Sequence, residues 1–245
     1  MKLFNLDSPL MQWLGKMADL MWLNILTLIC CIPIFTAGAA FTALNYMALK
    51  IVRDEECYIT KGYFKSFKEN FKQATGIWLL YLLAILILVG DFYIIRKSGI
   101  QIHKAIQVVI CIVGVLIIFT GMFLFPTLAK FENTFTRTIK NSFIISILQF
   151  PKTILMIILY LLPPVAAALA PQIMPVTFLF GFSLPAFLSA KLYNKFFKKL
   201  EDQVTAAAGE GQEGEAPEKE GEDERIFKDE LDESLIDQQE DSGKK

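Results

Sequence analysis

From Cys30 to Leu44 the chain reads CCIPIFTAGAAFTAL, a proline-containing stretch followed by small side chains. It lies inside the apolar segment Met17–Val52, which contains one acid, Asp19, and one base, Lys50. As a single helix this segment would be about 54 Å long at a rise of ~1.5 Å per residue. The hydrocarbon core of a bilayer is only ~30 Å thick. The segment therefore cannot be one straight membrane span.

A proline and a run of small side chains predict how the segment folds. Pro33 lacks a backbone donor and disfavours helical geometry at the residue before it. Thr36 is placed to cap the helix that follows, and the small residues after it permit close approach of neighbouring helices. We therefore predict a helical hairpin with arms 17–32 and 37–52. The residues assigned to helix packing are Pro33, Thr36, Gly38, Ala39 and Ala43.

The rest of the chain is also rich in apolar segments, and 54% of its 245 residues are hydrophobic. Soluble domains contain only ~45–50% apolar residues even when glycine is counted. Four further segments are nearly free of charge and have about the length of a membrane span. They are Ile77–Ile95, Ala105–Phe125, Ile154–Ala170 and Ile173–Ala190. The sequence predicts an all-α, polytopic membrane helix bundle with about six transmembrane helices.

Lysine and arginine are concentrated in alternate connections between these segments, and this bias predicts orientation because cytoplasmic loops are rich in both. Residues 50–76, 126–153 and 191–199 are basic, whereas residues 163–175 carry no charge. The six-span arrangement places the basic connections and both termini in the cytoplasm. An alternative stays open, in which residues 17–52 form one kinked span and the chain has five spans and an external N-terminus.

Two of the basic connections carry aromatic residues at helical spacing. The first covers residues 58–76 and the second follows Pro126. The pattern is typical of amphipathic helices that lie in the membrane interface, so two interfacial helices are predicted. Their rings could anchor the protein on anionic lipid or dock another protein. The candidate interface residues are Phe64, Phe67 and Phe71 in the first helix and Phe131 and Phe135 in the second.

Four polar or acidic side chains fall within the predicted spans, where such groups are costly. Asp19 and Asp91 lie near span ends, where water or a base such as Arg96 can satisfy them. Asn24 and Asn45 lie deeper. These two amides could hydrogen-bond between helices or line a substrate path.

The net charge of −1 conceals a division of the chain into two parts. Residues 1–200 carry 19 Lys and Arg against 8 Asp and Glu, whereas residues 201–245 carry 5 against 17. Low hydrophobicity and high charge are typical of disorder. We predict a membrane helix bundle over residues 1–200 and an acidic, mostly disordered cytoplasmic tail over 201–245. ERIFKDELDESLI at 224–236 has apolar residues at roughly helical spacing, typical of a transient helix or a partner-binding motif.

The sequence contains no constellation typical of catalysis or of metal or cofactor binding. His103, the one histidine, is predicted to lie in a short external loop. The four cysteines have neither metal-ligand spacing nor the pattern of a disulfide framework. Walker A, HExxH and GxSxG motifs are missing. We predict a protein that is not an enzyme, without catalytic, cofactor or metal residues and without nucleic acid or a direct small-molecule ligand.

Three stretches resemble the YesL family, small bacterial membrane proteins that carry a domain of unknown function. They are IPIFTAGAAFTAL at 32–44, FKSFKENFKQAT at 64–75, and FLFPTLAKFENT at 123–134 with PKT at 151–153. Members of that family accompany carbohydrate ABC importers and polysaccharide-utilisation genes. The resemblance covers roughly residues 1–200. It implies a bacterial cell-membrane protein that contacts lipid and the permease subunits of such an importer, and it supplies no catalytic residues.

Two functions follow as hypotheses. The first is an auxiliary subunit that associates with a carbohydrate ABC importer and stabilises or regulates it. The second is an autonomous transporter or channel for a small solute, which would need a continuous polar path through the bundle.

Overall fold

The computed structural model describes residues 9–55, 58–97, 104–131 and 133–209, and within these ranges the chain forms α-helices and two short 3₁₀ helices but no strand. This confirms the all-α fold. By length and composition, five helices could cross a membrane, or six if the bent pair at the C-terminal end counts as one span. The helices are α1 (Pro9–Cys30), α2 (Ala37–Arg53), α3 (Ile59–Lys97), α4 (Lys104–Lys130), α5 (Phe135–Leu148), α6 (Phe150–Leu169), α7 (Met174–Phe180) and α8 (Ser183–Gly209).

Helices α1 and α2 form the predicted hairpin. The chain breaks at Pro33, whose backbone is extended at φ −77° and ψ 118°, and a 3₁₀ turn at Ile34–Thr36 leads into α2. At the opposite end of the hairpin, Lys16 Nζ lies 2.5 Å from Asp54 Oδ1. An ion pair between the start of α1 and the end of α2 requires the two arms to run antiparallel.

The predicted N-cap at Thr36 is wrong. Its side chain makes no capping hydrogen bond to α2. Instead the hydroxyl lies 2.6 Å from the Cys30 carbonyl oxygen and 2.7 Å from that of Pro33, and donates to this pair. Thr36 therefore closes the open C-terminal end of α1, where carbonyl groups lack helical partners.

Helix α3 is one continuous helix of 39 residues. The prediction of a separate interfacial helix at 58–76 is wrong, because these residues form the first half of α3 and pack along α2. Gly62 faces Met47 near one end of this contact and Gly38 faces Ala74 near the other. Trp78 Nε1 donates to the Ile34 carbonyl at the hairpin tip, 2.7 Å away. The remaining residues of α3 extend about 28 Å beyond that tip at ~1.5 Å per residue.

The second predicted interfacial helix is also wrong in its extent. Helix α4 continues through Pro126 to Lys130, and α5 begins only at Phe135. Phe131 therefore lies in the connection between two helices and not on a helix face. Helix α5 packs against the second half of α4, with Ser142 beside Phe123.

The last predicted span, residues 173–190, is broken in the middle. After α6, a 3₁₀ turn at Pro171–Ile173 leads into the short helix α7. The Pro171–Phe180 segment and α8 then meet at a bend of 58°. Helix α8 continues into the predicted tail as far as Gly209, and residues 210–245 lie outside the described part of the chain.

Candidate interaction site

The break between α7 and α8 is filled by the side chain of Asn24 from α1. Its Oδ1 accepts from the backbone amides of Phe182 and Ser183 at 2.9 and 3.0 Å. Its Nδ2 donates to the Phe178 carbonyl at 2.7 Å. Asn24 is fully buried. Three backbone groups freed by the break are thus satisfied by one amide, which is how discontinuous helices are tolerated in apolar surroundings.

The other three predicted intramembrane polar residues have different settings. Asn45 is buried, and its Nδ2 donates to the Phe41 carbonyl of its own helix at 2.8 Å. Asp19 is half-buried and borders an open groove near the Lys16–Asp54 ion pair. Asp91 is half-buried in the outer half of α3. Asp19 and Asp91 therefore lie at opposite ends of the bundle and do not form one site.

The small residues of α2 lie where the helix backbones approach most closely. A Cβ at Gly38 would be only 2.5 Å from the Ala74 carbonyl oxygen and 2.5 Å from Trp78 Cβ. Ala39 and Ala43 are fully buried. Ala39 contacts the α3–α4 side of the core, and Ala43 belongs to the larger cluster formed with α1 and α8. Pro33 is exposed and shapes only the turn.

The five predicted interface phenylalanines are not on one surface. Phe67 and Phe71 pack against the core with their ring centroids 5.5 Å apart. Phe131 is 3% exposed and meets Phe197 of α8 edge to face at 5.3 Å. Phe64 and Phe135 keep more than a third of their surface exposed. These last two are the most exposed of the five, and Phe67 and Phe71 are half-buried.

The face of α3 that is buried was missed from the sequence. It consists of Tyr63, Ser66, Asn70 and Ala74, all almost completely inaccessible. These positions follow the same helical period as the phenylalanines but are displaced from them by about one residue. Their helical spacing could have indicated a buried face. Most of them are small or polar, however, and the neighbouring phenylalanines have the more typical composition of a core face.

A buried cluster of charges joins three helices at the end of the bundle that we call the basic end, where α2 and α4 finish and α3 begins. Arg53 donates from Nη1 and Nη2 to the two carboxylate oxygens of Glu201 at 3.1 and 2.7 Å. Its Nε donates to Asn194 Oδ1 at 2.9 Å. Lys130 Nζ lies 3.6 Å from Glu201 Oε1. These contacts tie α2, α4 and α8 together, and no local sequence pattern indicates the pairing.

A shallow apolar crevice lies between α3, α4 and α5, beyond the tip of the hairpin. Its volume is about 250 Å³. Ala84 on α3 and Val113 and Ile117 on α4 line it, and Phe143 of α5 borders it. Thr120, also in the lining, has its hydroxyl engaged with the Leu116 carbonyl at 2.8 Å. The crevice is therefore suited to apolar groups rather than to a polar solute.

The described residues contain no group of three His, Cys, Asp or Glu side chains that could hold a metal ion. His103 and Cys57 lie outside the described residues. Within the described ranges, the crevice lies among exposed apolar side chains of α3 and α4.

The sequence profile of a family described as a protein of unknown function, DUF624, matches residues 20–92. This range covers the second half of α1, all of α2, and α3 as far as Phe92, which together form the hairpin and the long helix packed against it. No curated protein and no solved structure matches the chain. The chain is thus similar, over its hairpin and α3, to an uncharacterised family of proteins.

Proposed function

We propose that this protein is an auxiliary subunit that associates with a carbohydrate ABC importer in the bacterial cell membrane and stabilises or regulates it, without acting as an enzyme. The resemblance to the YesL family supplies the kind of partner. One structural observation supports docking as the mode of action. The apolar outer halves of α3 and α4 are exposed around a crevice, whereas most residues of α2 are buried.

The exposed surface on α3 and α4 has the character of a helix-docking face. Leu80, Leu83 and Ile87 on α3 are about half exposed, as are Val109 and Ile112 on α4. In lipid, helix association depends on shape and close packing, because lipid tails are as apolar as leucine. A smooth apolar face would gain little binding free energy by exchanging lipid for another helix, but a crevice can receive side chains of a neighbouring helix. We assign a membrane helix of the permease as its occupant.

The orientation proposed with this function has both termini in the cytoplasm. The charges of the basic end support it, since Lys16, Arg53 and Lys130 all lie where α1 begins and α2 and α4 end. The positive-inside bias places such an end on the cytoplasmic side. The auxiliary subunit would then present its crevice within the bilayer and its basic end to the cytoplasmic components of the importer.

The experiment that tests this function is purification of the tagged protein from its native cells. Cells are grown on a plant polysaccharide, membranes are solubilised in a mild detergent, and co-eluting proteins are identified by mass spectrometry. We expect permease subunits of a carbohydrate importer at near-stoichiometric yield. Recovery of the folded protein alone, at the monomer mass, would contradict the proposal.

A second candidate function, autonomous transport of a small solute, is favoured by the broken α7–α8 pair. Discontinuous helices form substrate sites in many transporters, where freed backbone groups bind the solute. Here, however, Asn24 occupies that position and already satisfies three of the freed groups, which leaves fewer of them for a solute. Liposomes containing the purified protein would test this function directly, and solute flux above that of empty liposomes would favour it over the auxiliary role.

A further inference from the structure

A groove at the start of α3 combines positive charge with exposed aromatic rings. Its volume is about 620 Å³, and its lining includes Tyr58, Lys61, Phe64, Lys65 and Lys68. The Tyr58 side chain is 85% exposed and Phe64 is 39% exposed. We call these five residues the α3 groove. Exposed rings between lysines form a surface that suits a ligand with both carboxylates and apolar side chains.

The lysines of the α3 groove are not neutralised by the described part of the chain. None of its acidic side chains forms an ion pair with Lys61, Lys65 or Lys68. The nearby acids Asp54 and Glu55 are engaged with Lys16 and Lys50 instead. Like charges three and four residues apart on a helix destabilise it. The first turn of α3 contains Lys61 and no acid, so this lysine lies at the positive end of the helix dipole without a carboxylate to offset it.

One segment of the same chain has the complementary composition. Residues 224–236 read ERIFKDELDESLI and contain five carboxylates, five large apolar residues and two bases. The apolar positions Phe227, Leu231 and Leu235 recur every four residues, and Asp229, Glu230, Asp232 and Glu233 lie between them. A ligand of this pattern can place rings and aliphatic groups on Tyr58 and Phe64 while its carboxylates reach the lysines.

The tail also starts close enough to reach the groove. Glu201 of α8 contacts Arg53, and α3 begins at Ile59, a few residues further along the chain. Helix α8 ends at Gly209, about 12 Å beyond Glu201 at ~1.5 Å per residue. The chain from there to Glu224 spans up to ~50 Å when extended. This reach exceeds the distance between Arg53 and the start of α3 at Ile59, because the connection between them is short.

We propose that residues 224–236 of the acidic tail bind in the α3 groove of the same molecule. The carboxylates pair with Lys61, Lys65 and Lys68, and Phe227 and Leu231 pack against Tyr58 and Phe64. The tail thereby covers the most strongly basic exposed surface of α3. This interaction does not depend on the identity of any importer, so its test is independent of the proposed function.

Carbodiimide cross-linking of the full chain tests the proposal, since this reagent joins a carboxylate to a lysine only when they are in direct contact. The protein is treated in neutral detergent and again in nanodiscs of phosphatidylcholine, and linked peptides are identified by mass spectrometry. We expect links from Asp229, Glu230, Asp232 or Glu233 to Lys61, Lys65 or Lys68. Exposed Lys195, Lys198 and Lys199 of α8 serve as internal controls, and we expect at least ~10-fold fewer links to them.

Two variants separate specific docking from general charge attraction. The double variant Phe227→Ser, Leu231→Ser keeps every carboxylate, and we expect it to lower the yield of links to the groove at least ~5-fold. Equal links to the α8 lysines, or an unchanged yield in this variant, would overturn the proposal. The proposal would also be overturned if no groove links form and anionic phospholipid co-purifies with the wild type but not with the triple variant Lys61→Glu, Lys65→Glu, Lys68→Glu. That last result would assign the groove to lipid headgroups.

Discussion

Single residues determine the structure at the places where the helices of this bundle break or approach each other most closely. Asn24 supplies one acceptor and one donor to three backbone groups between α7 and α8. Gly38 lets α2 approach the α3 backbone. An apolar side chain in place of Asn24 would leave the backbone groups unsatisfied. Any Cβ at position 38 would meet backbone atoms of α3. Both positions are therefore expected to be sensitive to small changes.

We expect Asn24→Leu to lower the free energy of unfolding by about 2–4 kcal/mol, since buried polar groups left without partners cost ~1–3 kcal/mol each. At ~2–4 °C per kcal/mol for a protein of this size, the apparent Tm should fall by about 4–16 °C. Thermal unfolding in detergent measures this shift. Thr42→Val is the matched control, because the buried Thr42 hydroxyl bonds only the Gly38 carbonyl of its own helix. Equal shifts in the two variants would contradict the role of Asn24.

We expect Gly38→Ala to be destabilising although alanine is the better helix former. The added methyl group would lie against the Ala74 carbonyl and Trp78 Cβ, so α2 and α3 must separate. Overpacking of this kind costs ~1–3 kcal/mol. Gly90→Ala on α3 is the control, since nothing lies within 4 Å of a Cβ there, and it should be neutral or stabilising. A Gly38→Ala variant as stable as the wild type would show that the contact yields easily.

At the scale of whole helices, local signals and tertiary contacts contribute differently. The hairpin could be predicted because its causes are local: Pro33 lacks a backbone donor, and the apolar segment around it is too long for one straight span. The buried face of α3 could not, because the phenylalanines and the Tyr63–Ser66–Asn70 face share one period. Packing against α2 decides between them. Similarly, Pro126 is a helix breaker in isolation, yet α4 continues through it.

The charge cluster at the basic end joins helices that are far apart in sequence, which is why no local pattern revealed it. We expect Glu201→Gln to lower stability by about 2 kcal/mol, because Arg53 and Lys130 lose their shared carboxylate while most of their surface stays buried. The neighbouring Asp202 is exposed, so Asp202→Asn removes the same charge without the contacts. Thermal unfolding of the two variants should differ by several degrees. Indistinguishable curves would mean that the cluster does not hold the helices together.

At the scale of the whole molecule, the protein has a packed part and an exposed part along the axis of α3. The hairpin and the second half of α4 lie beside the first half of α3, and α8 packs against α2. Most of the buried core lies among these helices. Beyond Trp78, α3 and α4 continue with apolar surfaces and the crevice between them. The sequence predicted the membrane character of both parts. It could not reveal the crevice, which exists only through the relative placement of three helices.

Binding of the permease in the crevice is tested by comparing Ala84→Trp with Leu86→Trp in the tagged purification. Ala84 lines the crevice, so a tryptophan there should fill it and reduce co-purifying permease at least ~10-fold without lowering the apparent Tm. Leu86 lies on the same helix outside the crevice and is 70% exposed, so its variant should retain the permease. Full retention by a folded Ala84→Trp protein would contradict the claim that the crevice is where the partner binds.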